Sequence, residues 1–150
     1  IKRVIRALEY HHQTGDLISR HNEQSRQKES PYDASYFVLN DDRQKLYQQI
    51  DRRVDLMIEA GLVDEVQALN DMGCTSSMVS MQGLGYKEIL AYLDGVLSLD
   101  DAIYRIKRDT RHFAKRQITW FKREKDVIWV DKTDFDYDEE KMLAFMLKHI

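Results

Sequence analysis

The residues from Thr110 to Lys122, TRHFAKRQITWFK, set cations, an amide and large aromatic rings side by side. These types suit contact with a nucleic acid. Lys and Arg neutralise phosphates and release counterions, while His112, Trp120 and flat guanidinium groups can stack on an unpaired base. At helical spacing Arg108, Arg111, Lys115 and Lys122 fall near one stripe, and Ile106, Phe113, Ile118 and Phe121 form another that can face a core. Of the adjacent pair Trp120 and Phe121, that apolar stripe assigns Phe121 to the interior. The same run also reads as a solvated charged face over an ordinary amphipathic helix.

Charge is segregated along the chain. The net value of −3 conceals nine Lys or Arg between residues 105 and 125, opposed there only by Asp109 and Glu124. Residues 1 to 28 add Lys2, Arg3, Arg6, Arg20, Arg26 and Lys28 against three acids, and the remainder is acidic. A polyanion feels this local field rather than the sum, because screening confines charge interactions to about 10 Å.

The elements that must position these groups are mostly helices, since Pro31 is the sole proline and the glycines sit where helices should stop. The spacing of Val4, Ile5 and Leu8 predicts a helix over residues 1 to 13, with His12 on the same side and Gly15 just past its end. That helix opens on Ile1 with neither a capping residue nor an initiator methionine, which suggests a piece of something longer. A short polar helix is expected from Leu17 to Gln27, and the Ser30-Pro31 break leads into a buried strand at Tyr36 to Leu39. Leu46, Ile50, Val54, Met57 and Ile58 mark a helix from Arg43 to Ala60, closed by Gly61, and a second runs from Val63 to Met72, closed by Gly73. Residues 74 to 82 read as a loop, and Gly83 and Gly85 as the turn that starts a helix through Leu93. Ser98 should cap the long basic helix, residues 99–125, with Asp101 at its third position. Val127 to Val130 is a second strand and Glu139 to His149 a terminal helix. Two short strands among long helices fit part of an α/β sheet, and further strands would have to complete it.

Other chemistry is poorly supported. Cys74 stands alone, without a disulfide partner or a CxxC for zinc, and reads as a small buried or loop residue. His11 and His12 suit the C-terminal dipole of the first helix and have no Cys or Asp cluster beside them, so they read as structural. Asp134, Asp136, Asp138, Glu139 and Glu140 lack the EF-hand spacing and its glycine, and read as an acidic solvated linker. The sequence shows no membrane span or signal peptide, which points to a cytoplasmic protein.

Four segments together carry a family likeness: RVIRALEY with Thr14-Gly15, RVDLMIEAGLVDEV from Arg53 to Val66, GYKE from Gly85 to Glu88, and AKRQITWFK from Ala114 to Lys122. In this order the chain resembles the C-terminal half of bacterial tRNA dimethylallyltransferases. The resemblance implies a predominantly helical α/β fold, the C-terminal portion of a P-loop-type core with part of a helical insertion. Residues 1–32 would then be the end of the insertion and 33–150 part of the core domain. Members of that family transfer a dimethylallyl group from dimethylallyl diphosphate to N6 of the adenosine next to the anticodon, using magnesium. The implied partners are a tRNA anticodon stem-loop and that diphosphate, with the intact protein a monomer and no membrane contact.

No GxxxxGK[ST] occurs here, so the resemblance implies that the P-loop and the catalytic aspartate lie outside this chain. It assigns no catalytic residue or metal ligand here, magnesium being held mainly by the N-terminal half, and predicts that this chain alone is inactive. It implies RNA contacts at Lys115, Arg116, Gln117, Thr119, Trp120 and Lys122, a second strip from Gln82 through Gly83, Gly85, Tyr86 and Lys87, and a third at Lys2, Arg3 and Arg6. Free N–H groups at the helix start after Gly85 could add a phosphate contact. Arg53 would reach the diphosphate, or else pair with Asp55 or Glu59. The competing readings are a non-catalytic helical nucleic-acid-binding module and an interaction domain whose basic helix docks an acidic protein.

Overall fold

A computed structural model of the chain describes residues 1–27 and 31–150, which form two units, Ile1–Ala34 and Ser35–Ile150. Lys28, Ser30 and the side chain of Arg26 lie outside the described residues.

The first unit contains α1 (Lys2–Thr14) and α2 (Ile18–Gln27). Gly15 ends α1 in the left-handed region at φ 73°, where its N–H donates to the His11 carbonyl at 2.8 Å. Asp16 then accepts from the Leu17 N–H at 2.7 Å and pairs with Arg20 at 3.2 Å, fixing the start of α2. Val4, Ile5 and Leu8 do share a side of α1, yet all three are exposed and no residue of the helix is buried. The 3,4 pattern was sufficient to make the helix but finds no core within its own unit.

The second unit places a parallel two-stranded sheet beside a helical layer. Strands β1 (Tyr36–Asn40) and β2 (Val127–Asp131) pair in register from Tyr36 with Val127 to Asn40 with Asp131, each one residue longer than the apolar run alone suggested. The extra pair is polar, and the Asn40 side chain donates to the Asp131 carboxylate across the strand ends. Val38 and Val130 are buried, but Leu39 is 59% exposed, so β1 is not the fully buried strand expected. Parallel strands are normally covered on both faces, which leaves this pair with an uncovered apolar side.

Asp42 starts α3 (Arg43–Glu59) by accepting from the N–H groups of Gln44 and Lys45 at 2.9 and 3.1 Å. Gly61 at φ 97° turns the chain into α4 (Leu62–Asp71). A 3-10 turn at Val79–Gln82 lies within the segment expected to be loop, anchored by the buried Met81. Helix α5 (Tyr86–Leu93) follows, then α6 (Leu99–Phe121), whose first turn is capped by Ser98 accepting from the Asp101 N–H at 3.1 Å. The basic helix ends at Phe121 rather than 125, because the backbone leaves helical geometry before Asp126, at φ 60°, enters β2. Asp138 caps α7 (Glu139–Leu147) by accepting from the Glu140 and Lys141 N–H groups. Those bonds, with Lys141 foremost, hold the Asp138 carboxyl below the usual carboxylate range.

The core lies between α3, α4, α5 and α6, and is built from Val54, Leu62, Val66, Met81, Ile89, Leu90, Ala102 and Ile106, with Cys74 packed at its margin. Two ion pairs lace its edge: Asp51 with Arg111 at 2.5 Å and Asp55 with Lys107 at 2.6 Å. Each pair steps by four residues on both helices in opposite senses, so α3 and α6 run antiparallel at this point. This lacing fixes which face of α6 remains open.

Candidate nucleic-acid interface

Helix α6 turns Ala102 and Ile106 inward, then rests Ala114, Ile118 and Phe121 half-buried toward the sheet. The outward line, spaced alternately by three and four residues, contains Arg105, Arg108, His112, Lys115, Thr119 and Lys122. It spans about 25 Å at 1.5 Å per residue. Two members of the expected stripes move. Arg111 is withdrawn from the polar line by Asp51, and Phe113, expected to face the core, is 45% exposed.

The cations of this helix and of the turn after it divide. Lys107, Arg108 and Arg111 are neutralised by Asp55, Asp109 and Asp51 at 2.6, 2.7 and 2.5 Å. Arg105, Lys115, Arg116, Lys122, Arg123 and Lys125 form no ion pair among the described residues, and all are exposed. Arg116 lies with its guanidinium 5.7 Å from the Phe113 ring centre, a flat cation over an exposed ring. Trp120, 53% exposed, extends the aromatic edge, while Phe121 is half-buried with Tyr36 and Trp120 edge-on to it at 6.0 and 5.1 Å. The division of this pair is the one that the apolar stripe gave. Gln117 is exposed, whereas the Thr119 hydroxyl donates to the Lys115 carbonyl at 2.9 Å and retains acceptor capacity for a ligand.

The strip from Gln82 to Lys87 meets the same helix at its other end. A shallow pocket of about 270 Å³ between α5 and α6 is lined by Lys87, Glu88, Arg105, Arg108 and Asp109. The hydrogen bond from Arg108 holds the Asp109 carboxyl below the usual range, against the opposing effect of burial, with Lys87 and His112 acting at longer range. The same bond raises the Arg108 guanidinium. Gly83 has ordinary extended geometry, φ −60° and ψ 152°, so only Gly85, at φ 99°, requires glycine for the turn. The phosphate contact expected at this helix start is contradicted: the Gly85 N–H donates at 2.9 Å to the buried Glu88 carboxylate, which brings its own negative charge and is met by Lys87 at 3.3 Å. The Tyr86 hydroxyl donates to Glu65, which raises its pKa, and the Gln82 amide donates to the Ser76 carbonyl. Lys87 is thus paired with Glu88, and the Gly83 carbonyl accepts from the Lys87 N–H at 3.3 Å.

Arg53 is exposed and has no ion pair among the described residues. Its suggested partner Asp55 is taken by Lys107, and its side chain points away from the core side on which Val54 lies. Lys2, Arg3 and Arg6 are exposed on α1, within the other unit.

Sequence reasoning missed Arg43 and Tyr47. With Lys115, Thr119 and Lys122 they line a cleft of about 430 Å³ beside the ends of the strands. An Arg four residues before a Tyr in the first turns of a helix was the available signal, and the Arg43 Nε donates to the Tyr47 hydroxyl at 3.1 Å. The described residues contain no group of three His, Cys, Asp or Glu able to hold a metal ion, so the magnesium implied by resemblance finds no ligand set here. No described helix is long and apolar enough to cross a membrane.

Residues 1–124 match the family model described as IPP transferase. The chain belongs to the IPP transferase family. It is 62% identical over 148 residues to the tRNA dimethylallyltransferase of Lachnoclostridium phytofermentans, covering 99% of this chain and 47% of that protein. It is 51% identical over 140 residues to the enzyme of that name from Acetivibrio thermocellus, covering 93% and 45%. The chain thus spans about half the length of the curated relatives it matches. Two crystal structures carry the IPP transferase fold likeness. The Bacillus halodurans tRNA isopentenylpyrophosphate transferase superposes with TM-score 0.72 at 42% identity, over 85% of this chain and 41% of that one. The Staphylococcus epidermidis tRNA delta(2)-isopentenylpyrophosphate transferase gives 0.68 at 38% identity, over 89% and 43%. The partial, mostly helical α/β fold is that of IPP transferases.

Proposed function

We propose that this chain is the RNA-gripping C-terminal portion of a tRNA dimethylallyltransferase, with residues 1–32 contributed by a helical insertion and 33–150 by the core domain. The carrying observation is the line of unneutralised cations at the end of α6, edged by the exposed rings of Phe113 and Trp120. In the reaction this reading gives the intact protein, N6 of the adenosine next to the anticodon forms a bond to the allyl carbon, and diphosphate departs.

In that reaction Lys115, Arg116 and Lys122 position RNA phosphates, while Gln117 and Thr119 meet base or ribose edges. Trp120 offers a ring to a base drawn from its stack, offsetting an unstacking cost of a few kcal/mol. Lys87, with Gln82 to Tyr86, borders the strand at the other end of the helix, and Lys2, Arg3 and Arg6 add charge from the first unit. Arg53, without an acidic partner among the described residues, is suited to the diphosphate of the allyl donor. Proton abstraction and the magnesium ion belong to groups outside this chain. The intact enzyme acts in the cytoplasm as a monomer.

The test is binding of the chain to an anticodon stem-loop across a salt series, with an unrelated hairpin alongside. Selective binding that weakens with salt supports the reading. Equal binding of both hairpins reduces it to a generic basic patch, and no binding by a folded chain refutes the assignment of the grip to this half.

A further inference from the structure

The cleft between α3 and the end of α6 joins Lys115 and Lys122, assigned above to RNA phosphates, to Arg43 and Tyr47, which have no role above. Asn40 and Asp41 form its floor at the end of β1, Arg43 and Tyr47 one wall, and Lys115 and Lys122 the other. Its three cations outnumber its one acid, Asp41. Asp41, the buried acid at the floor, has Oδ1 occupied by the Asp42 N–H at 2.7 Å and the Tyr137 hydroxyl at 2.8 Å, and Oδ2 by the Gln49 amide at 3.4 Å. The neighbouring Asp42 spends Oδ1 on the first turn of α3. Arg43 instead bonds Tyr47 and lies 5.3 Å from that ring's centre, an arrangement that holds the guanidinium in place without neutralising it.

Three cations around one concave site call for an anion with several acceptor oxygens. A carboxylate would satisfy one wall, whereas a phosphoryl group offers oxygens to both. The cleft opens onto the polar line of α6 at Lys115 and Lys122, so a polymer lying along that line can place one of its phosphates inside. We propose that the cleft formed by Arg43, Lys115 and Lys122 seats a single backbone phosphate of the bound RNA, with Tyr47 as the residue that positions Arg43. This rests on the RNA-binding reading, and deepens it by fixing the strand's path toward α3 rather than outward over the Phe113 edge.

The experiment uses a set of stem-loop RNAs, each with one phosphodiester replaced by a neutral methylphosphonate, titrated against wild type, Arg43→Gln, Tyr47→Phe and Arg116→Ala. In wild type one position should cost about tenfold in affinity, the size of a lost charge-assisted hydrogen bond. In Arg43→Gln the unmodified RNA should bind about tenfold more weakly and that position should cost nothing further, while the salt slope falls by about 0.7. Tyr47→Phe should reproduce part of the loss at unchanged thermal stability. Wild-type-like RNA binding by Arg43→Gln, with loss confined to Arg116→Ala, overturns the cleft and leaves the RNA-binding reading intact. Failure of wild type to bind any RNA overturns both. Binding of inorganic pyrophosphate that depends on Arg43, without any position-specific RNA effect, overturns the polymer phosphate in favour of a small diphosphate.

Discussion

The two halves of α6 carry the same residue types and do different work. Toward its start, Lys107, Arg108 and Arg111 are held by Asp55, Asp109 and Asp51. Toward its end, Lys115, Arg116 and Lys122 meet no acid among the described residues. A cation beside a fixed carboxylate is a structural tie with little charge left to offer, whereas one without a partner keeps its field for a ligand. Charge density alone cannot distinguish them: Asp51 and Asp55 on α3 and Asp109 on α6 itself hold Arg111, Lys107 and Arg108, and Arg105 is the cation of the first half without an ion pair among the described residues.

The strongest way to break this comparison is to remove the packing both halves rest on. Ile106→Ala leaves a cavity in the core and should cost 2–5 kcal/mol, roughly the range for such truncations, read by urea denaturation. RNA binding should then fall only in proportion to the unfolded fraction. Next, Trp120→Ala should weaken RNA binding by about 1–3 kcal/mol, the scale of one stacked base, with little change in folding. Phe121→Ala should show the reverse, lost stability at preserved affinity of the folded fraction, since its ring packs against Tyr36. Equal behaviour of the two would erase the distinction between open edge and interior.

Among the cations themselves, Arg116→Ala should weaken binding by about tenfold and shift stability by less than about 0.5 kcal/mol, whereas Arg111→Ala should cost roughly 1 kcal/mol of stability and leave the salt slope of binding unchanged. The same slope loss in both variants would show that pairing with Asp51 does not matter. The smallest effect is in acid. Asp109 is depressed in the folded state, so its contribution is present above the ordinary aspartate value of about 3.9 and is lost as pH falls through the lower folded value. Asp109→Asn should therefore flatten that part of the acid limb in a pH series of thermal melts, and leave the neutral region nearly parallel to wild type.

Much of this arrangement was legible beforehand. Ser98 could be placed as a cap because a hydroxyl before an apolar repeat satisfies free N–H groups locally. Gly15 and Gly61 marked helix ends for the same local reason, their positive φ. Phe121 could be chosen over Trp120 because helical period fixes direction. Phe113 was misassigned because period fixes direction and not cover: one heptad beyond Ile106 it points within about 20° of it, yet Ile106 is buried and Phe113 exposed.

The sequence by itself determined the elements, the caps, the concentration of positive charge and the family likeness, since each depends on neighbours within a few residues or on motif order. Only the tertiary structure decided which cations are spent. Asp51 and Asp55 lie more than fifty residues from Arg111 and Lys107. Pairing through space depends on how two helices cross, which no local pattern encodes. The Arg43 cleft follows from the same cause: its two walls come from α3 and α6, and packing brings them face to face.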